Sequence, residues 1–177
     1  MNLPNKLSIM RVFCIPAIVI LMYLQPEWCG WAAAGVFVVA SATDYLDGHI
    51  ARKYKLVTDF GKFIDPVADK LLVLSSLIML IHCGRIPAWT VVLILTRELC
   101  VDGLRLISVT KGKVIAAGPL GKIKTVSQMI LILWLMIFRI PAMNHPVGII
   151  LLVWTSAITL WSGIDYFVKN ISVFETR

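Results

Sequence analysis

The chain has 177 residues, 59% of them hydrophobic, and a mean hydropathy of +0.85. This composition is too apolar for an ordinary soluble domain and indicates that a lipid bilayer is the solvent. Seventeen Lys and Arg residues oppose ten Asp and Glu residues, for a formal net charge of +7. With so little polar surface, we expect no binding of nucleic acid. The positive charge instead suits an anionic lipid surface or a pocket for phosphorylated substrates.

Six stretches of the sequence contain no Asp, Glu, Lys or Arg. They cover residues 12–26, 28–43, 71–84, 86–96, 125–138 and 140–164. Crossing a bilayer takes about 20 mostly apolar residues. Only the last stretch meets that length, so the other five are predicted to continue through a charged turn at one end. We therefore predict an all-α, polytopic membrane protein with six transmembrane helices, formed by residues 1–177 as a single domain. A short interfacial helix is predicted at residues 2–8, before the first span.

The distribution of basic residues predicts the orientation of the chain. With six spans, both termini lie on the same side of the membrane as the connections at residues 44–70 and 97–124. Only Arg85 and Arg139 fall on the other side, which leaves fifteen of the seventeen Lys and Arg residues with the termini. Because cytoplasmic loops are enriched in Lys and Arg, we predict that both termini are cytoplasmic.

Four aspartates flank the connection between the second and third stretches. Asp44 and Asp47 are three residues apart, and Asp65 and Asp69 are four apart, so on helices each pair shares one face. An isolated pair of this kind would be interpreted as a solvated turn paired with nearby bases. Here the acids border apolar runs, where four unneutralised carboxylates would be costly. We therefore predict one or two divalent cations, and oxygen ligands favour Mg²⁺ or Mn²⁺.

Small residues and one arginine accompany these aspartates. Glycine inside a helix costs about 1 kcal/mol relative to alanine, so Gly48 and Gly61 indicate close approach by a helix or a ligand. Ala51 extends the small face beyond Gly48, and Arg52 has a planar guanidinium suited to phosphate oxygens.

Together these residues form the pattern D-x-x-D-G-x-x-A-R-x8-G-x3-D-x3-D, which resembles the signature of the CDP-alcohol phosphatidyltransferase family. The resemblance implies a six-helix membrane fold, a homodimer, and a cavity that faces the cytoplasm. It also implies two divalent cations held by Asp44, Asp47, Asp65 and Asp69, with Asp69 as general base. The residues it implies for binding CDP-diacylglycerol are Asn5, Asp47, Gly48, Ala51, Arg52, Thr58 and Gly61.

A second polar cluster, at residues 96–128, bears on the acceptor alcohol. Six bases face only Glu98 and Asp102 there, which suits a phosphorylated polyol better than serine. A contribution to topology is the alternative explanation for some of these bases. The segments NLPNKLSIMR, TDFGKFIDPVADK and TRELCVDGLR are similar to those of family members that use sn-glycerol 3-phosphate. The predicted acceptor-phosphate residues are Arg11, Arg97, Arg105, Lys122 and Lys124.

The reaction implied by the resemblance transfers a phosphatidyl group from CDP-diacylglycerol to sn-glycerol 3-phosphate. Phosphatidylglycerophosphate and CMP are the products, and the implied location is the bacterial cytoplasmic membrane with the active site facing the cytoplasm. Two alternatives stay open: the same chemistry with inositol phosphate or serine, and a small ion-coupled transporter. Acids at the ends of the predicted helices, rather than at their middles, disfavour a transport site.

Overall fold

The computed structural model describes the backbone of residues 3–24, 26–53, 59–111, 115 and 118–171. Side chains are described for residues 9–24, 26, 28–43, 67–111, 115 and 118–171. Six α-helices and one 3₁₀ turn make up this part of the chain, which contains no strand. They are α1 (Leu3–Leu24), α2 (Glu27–Lys53), α3 (Asp59–His82), α4 (Ala88–Thr110), α5 (Pro119–Phe138), the 3₁₀ turn (Ala142–Asn144) and α6 (Pro146–Lys169). The all-α prediction is confirmed.

The helices extend beyond the uncharged stretches, as their lengths required. The fourth stretch ends at residue 96, yet α4 continues to Thr110, and α5 begins at Pro119, before Lys122 and Lys124. The sixth helix starts later than its stretch, at Pro146, because proline lacks an N–H and is favoured at the first helical position. The Nδ1 atom of His145 accepts a hydrogen bond of 3.2 Å from the Val147 N–H and caps this helix.

The prediction of a separate interfacial helix at residues 2–8 is wrong. One continuous helix runs from Leu3 to Leu24. Pro4 does not interrupt it, because the N–H groups of the first helical turn have no intrahelical partner to lose.

A left-handed glycine ends α3. Gly84 has φ of +68°, its N–H bonds to the Ile81 carbonyl at 2.8 Å, and the Arg85 N–H bonds to the Leu80 carbonyl at 2.9 Å. This pair of bonds is the Schellman arrangement, in which glycine adopts the left-handed conformation without steric cost. The third helix therefore ends in a tight, well-defined turn.

The apolar surface is that of a membrane protein. Among the described residues, α5 and α6 are long and apolar enough to cross a membrane by length and composition. The apolar parts described for α1 and α2, Ile9–Leu24 and Trp28–Thr43, are shorter. Large apolar side chains are exposed along all six helices, for example Phe13, Trp31, Ile78, Leu106, Val126 and Trp161. Exposed apolar area on this scale is unfavourable in water and favourable in lipid.

The chain divides into two compact units, and the first comprises residues 1–85 and 132–139. Within it α1 packs against both α2 and α3, and α2 also contacts α3. Buried side chains such as Ile18, Phe37 and Leu72 fill this packing. Gly30 on α2 lies against the last turn of α5, where an added Cβ would be 2.5 Å from the Met136 carbonyl oxygen.

The second unit comprises residues 86–131 and 140–177. Here α4 packs against α6, around a buried cluster of Val101, Leu104 and Tyr166. The buried face of α6 follows a helical spacing and is rich in hydroxyl groups. Its members are Gly148, Leu152, Thr155, Ser156, Thr159, Ser162 and Tyr166. A polar helix face buried in this way can hold side chains that an entirely apolar core would exclude.

Candidate functional site

The structure places the four predicted metal ligands on two contacting helices of the first unit. Asp44 and Asp47 lie on α2, and Asp65 and Asp69 lie on α3. Helical spacing puts the members of each pair on one face, and both pairs are near the helix ends that flank residues 54–58. The side chain of Asp69 is partly buried, whereas those of the other three aspartates lie outside the described residues.

The donor set fits hard divalent cations in chemistry and in helical placement. No group of three metal-ligating side chains occurs among the side chains that the structure describes, and three of the four aspartates are not among them. The metal site therefore stays a prediction. The same holds for the predicted CDP-diacylglycerol site, whose side chains lie outside the described residues. Those residues are Asn5, Asp47, Gly48, Ala51, Arg52, Thr58 and Gly61.

In the second unit, Glu98 joins two of the predicted acceptor-phosphate residues. Its Oε1 atom accepts hydrogen bonds from Arg97 Nη1 at 3.1 Å and from Lys124 Nζ at 2.5 Å. The side chains of Arg97, Glu98 and Lys124 are only 12%, 14% and 5% exposed. One carboxylate thus links a base on α4 to a base on α5, within a largely buried group of three charges.

Gly163 makes room for the Arg97 side chain, and Gly121 lies at ordinary contact distance from it. An added Cβ at Gly163 on α6 would lie 3.2 Å from Arg97 Cγ, and one at Gly121 on α5 would lie 3.9 Å from Arg97 Nη2. Arg97 therefore runs from α4 past α6, and its guanidinium ends beside the first turn of α5. Arg97 also borders a cavity of about 450 Å³, whose other walls include Leu93, Leu160 and Phe167.

Arg105 lies two turns beyond Arg97 on α4 and is held by a different partner. Its Nε donates a hydrogen bond of 3.0 Å to the Tyr166 hydroxyl, and its guanidinium carbon is 5.4 Å from the centroid of the same ring. Within the part of the chain that the structure describes, this is the one hydrogen bond of the Arg105 guanidinium.

The remaining two predicted acceptor-phosphate residues have different environments. Arg11 is fully buried on α1 in the first unit. Lys122 is exposed on α5, two residues from buried Lys124, because positions two apart point to different sides of a helix. Of the five predicted residues, the structure thus brings Arg97 and Lys124 together through one acid and leaves Lys122 on the surface.

Sequence reasoning missed the partners that hold these bases. The sequence analysis used Glu98 only to compare the numbers of acids and bases in the cluster. It predicted no role for Tyr166 or Gly163. The adjacency of Arg97 and Glu98 beside an apolar run was an available signal, because charges on a membrane helix need partners. Tyr166 lies 61 residues from Arg105 in the chain, and no local pattern indicates that pairing.

Comparison with known proteins adds evidence independent of this geometry. A model of the CDP-alcohol phosphatidyltransferase family matches residues 1–161, which include the four aspartates and the second polar cluster. A Bacillus subtilis (strain 168) protein named CDP-diacylglycerol–glycerol-3-phosphate 3-phosphatidyltransferase is 41% identical over 189 residues, covering 99% of this chain and 98% of the relative. Proteins of the same name from Escherichia coli (strain K12) and Shigella flexneri serotype 5b (strain 8401) are 36% identical over 171 residues. Those alignments cover 93% of this chain and 92% of each relative.

Proposed function

Because the chain belongs to the CDP-alcohol phosphatidyltransferase family, we propose that it transfers a phosphatidyl group from CDP-diacylglycerol to sn-glycerol 3-phosphate. The products are phosphatidylglycerophosphate and CMP, so the protein is a transferase of phospholipid biosynthesis. The observation that carries the proposal is the near-full-length similarity to relatives named for this reaction. The buried bases Arg97 and Lys124 support a phosphorylated acceptor, since serine carries no phosphate for them to bind.

Chemically, the acceptor hydroxyl oxygen forms a bond to the lipid-bearing phosphorus, and the bond from that phosphorus to CMP breaks. Asp69 takes the proton of the attacking hydroxyl, and Arg52 binds a phosphate of the nucleotide. Two divalent cations, Mg²⁺ or Mn²⁺, held by Asp44, Asp47, Asp65 and Asp69, would supply charge neutralisation at the pyrophosphate. A general base must lie within hydrogen-bond reach of the hydroxyl whose proton it takes.

The proposed setting is the cytoplasmic membrane of a bacterium, with six spans and both termini in the cytoplasm. The asymmetric distribution of Lys and Arg supports this orientation. Residues 1–177 would act as a single domain, with the active site open to the cytoplasm, where sn-glycerol 3-phosphate is dissolved. We further propose a homodimer surrounded by membrane lipid, as the family resemblance implies.

The first prediction concerns the divalent metal. Purified protein with CDP-diacylglycerol and sn-glycerol 3-phosphate should release CMP in the presence of Mg²⁺ or Mn²⁺, and chelation by EDTA should abolish release. The physical reason is that a dianionic acceptor and a pyrophosphate repel each other unless cations neutralise them. Parallel reactions with inositol phosphate and with serine rank the acceptors. Metal-independent release would contradict the metal role, and ion flux in liposomes without CMP release would favour a transporter.

The second prediction concerns Arg105. An Arg105→Ala variant should raise the KM for sn-glycerol 3-phosphate by roughly 10- to 100-fold, because a charge-assisted hydrogen bond contributes about 1.5–3 kcal/mol. The KM for CDP-diacylglycerol should change less. Lys111→Ala is a suitable control, since Lys111 is exposed just beyond the end of the same helix. A larger increase in the KM for CDP-diacylglycerol than in the KM for sn-glycerol 3-phosphate would place Arg105 in the CDP-diacylglycerol site.

A further inference from the structure

Three charged side chains of the second unit meet at one oxygen atom. Glu98 Oε1 accepts from Arg97 Nη1 and from Lys124 Nζ, and none of the three side chains is more than 14% exposed. Buried charges are costly unless they are paired. Glu98 therefore connects one cation on α4 with one cation on α5 through a single oxygen atom.

The guanidinium of Arg97 presents an edge that Glu98 does not use. Glu98 binds Nη1, whereas Nε is buried and has no hydrogen-bond partner among the described residues. Nε and Nη2 lie on the opposite side of the guanidinium from Nη1 and form the fork that binds phosphate through two hydrogen bonds. A Cβ added at Gly121 would lie 3.9 Å from Nη2, so this end of the edge is next to the start of α5. The first turn of α5, which contains Gly121, adds the positive end of a helix dipole.

We propose that Glu98 is a positioning residue for the acceptor phosphate. By accepting from Arg97 Nη1 and from Lys124 Nζ, it fixes the guanidinium between α4 and α5 and so holds the Nε–Nη2 edge in one position for an anion. The identity of that anion as the phosphate of sn-glycerol 3-phosphate rests on the proposed function. The existence of an anion site organised by Glu98 rests on the geometry of the second unit alone.

A positioning role and a purely electrostatic role predict opposite effects when Glu98 loses its charge. If Glu98 only opposed the two bases, a Glu98→Gln variant would leave more positive charge and bind phosphate more tightly. If Glu98 positions them, the two cations repel each other in the variant and separate. The Nε–Nη2 fork would then no longer be held in position for the phosphate. The direction of the change in acceptor KM therefore distinguishes the two roles.

The kinetic test compares Glu98→Gln and Glu98→Asp with the unmodified protein. We expect Glu98→Gln to raise the KM for sn-glycerol 3-phosphate about tenfold, with kcat and the KM for CDP-diacylglycerol changed less than about twofold. Glu98→Asp keeps the charge but is one methylene shorter, so it should give an intermediate KM. Asp165→Asn is the matched control, because it removes the acid of another acid–lysine pair in the same unit, with Lys169.

An unchanged or lower acceptor KM in Glu98→Gln would overturn the proposal. If Glu98→Gln does not fold, the acceptor KM of Glu98→Asp tests the proposal instead. An acceptor KM equal to that of the unmodified protein would then show that the reach of the carboxylate has no role.

A binding test separates this inference from the proposed reaction. Inorganic phosphate should raise the Tm of the purified protein and of Asp165→Asn, but should raise the Tm of Glu98→Gln much less. If these Tm shifts are observed but sn-glycerol 3-phosphate does not react, the proposed acceptor is wrong and the anion site organised by Glu98 is supported. Turnover of sn-glycerol 3-phosphate, with phosphate raising the Tm of Glu98→Gln as much as that of the unmodified protein, would support the proposed reaction. It would contradict the role of Glu98.

Discussion

An Asp69→Asn variant is expected to lower kcat for CMP release by roughly 10³-fold, the scale on which a positioned general base contributes. Asparagine has the same shape as aspartate but cannot take the proton of the attacking hydroxyl at neutral pH. Its carboxamide oxygen can still contact a cation, so metal binding should weaken without being lost. Steady-state CMP release and titration of Mn²⁺ into the purified variant measure the two effects separately.

Asp165→Asn again provides the control, because Asp165 is paired with Lys169 one helical turn away and has no proposed part in catalysis. Its kcat should match that of the unmodified protein. Turnover by Asp69→Asn at the unmodified rate would remove the assignment of Asp69 as the base. If Asp69→Asn loses both metal binding and turnover completely, the main role of Asp69 would instead be that of a metal ligand.

The largest effect on stability is expected for Gly30→Ala. The added Cβ would lie 2.5 Å from the Met136 carbonyl oxygen and 3.1 Å from Arg139 Cδ. The arginine side chain can move, but the carbonyl belongs to the backbone of α5, so α2 and this part of α5 must separate. Overpacking of this kind costs about 1–3 kcal/mol in the free energy of unfolding. Thermal unfolding in detergent should show the loss as a lower Tm.

Gly35→Ala is the matched control on the same helix, because no atom of another described element lies within 4 Å of its added Cβ. Alanine is the better helix former, so this variant should be as stable as the unmodified protein or more stable by up to about 1 kcal/mol. Equal losses for both variants would mean that the contact with α5 is not what constrains position 30.

Local patterns in the sequence predicted the helical framework well. The short uncharged stretches required helices that continue through charged turns, and α4 does so past Arg97 and Arg105. The spacing of the aspartates predicted two pairs on helices, and α2 and α3 contain them. The extra N-terminal helix was wrong because the polar composition of residues 2–8 indicated an interface but contained no signal that would end a helix.

The arrangement of the second polar cluster could not be predicted in the same way. Glu98 and Lys124 are 26 residues apart, and Arg105 and Tyr166 are 61 apart. Each basic residue was identified from its charge, but charge alone does not indicate which side chain will be buried. Lys122 and Lys124 are alike in sequence context, yet only Lys124 is buried.

The sequence alone thus predicted the family, the all-α class and the placement of the aspartates as two pairs on helices. They depend on separations of three or four positions and on apolar length, which are properties of a single helix. The choice of Glu98 as the common partner of Arg97 and Lys124 depended on the packing of α4, α5 and α6. Burial makes each unpaired charge costly, and only packing determines which opposite charge is close enough to offset that cost.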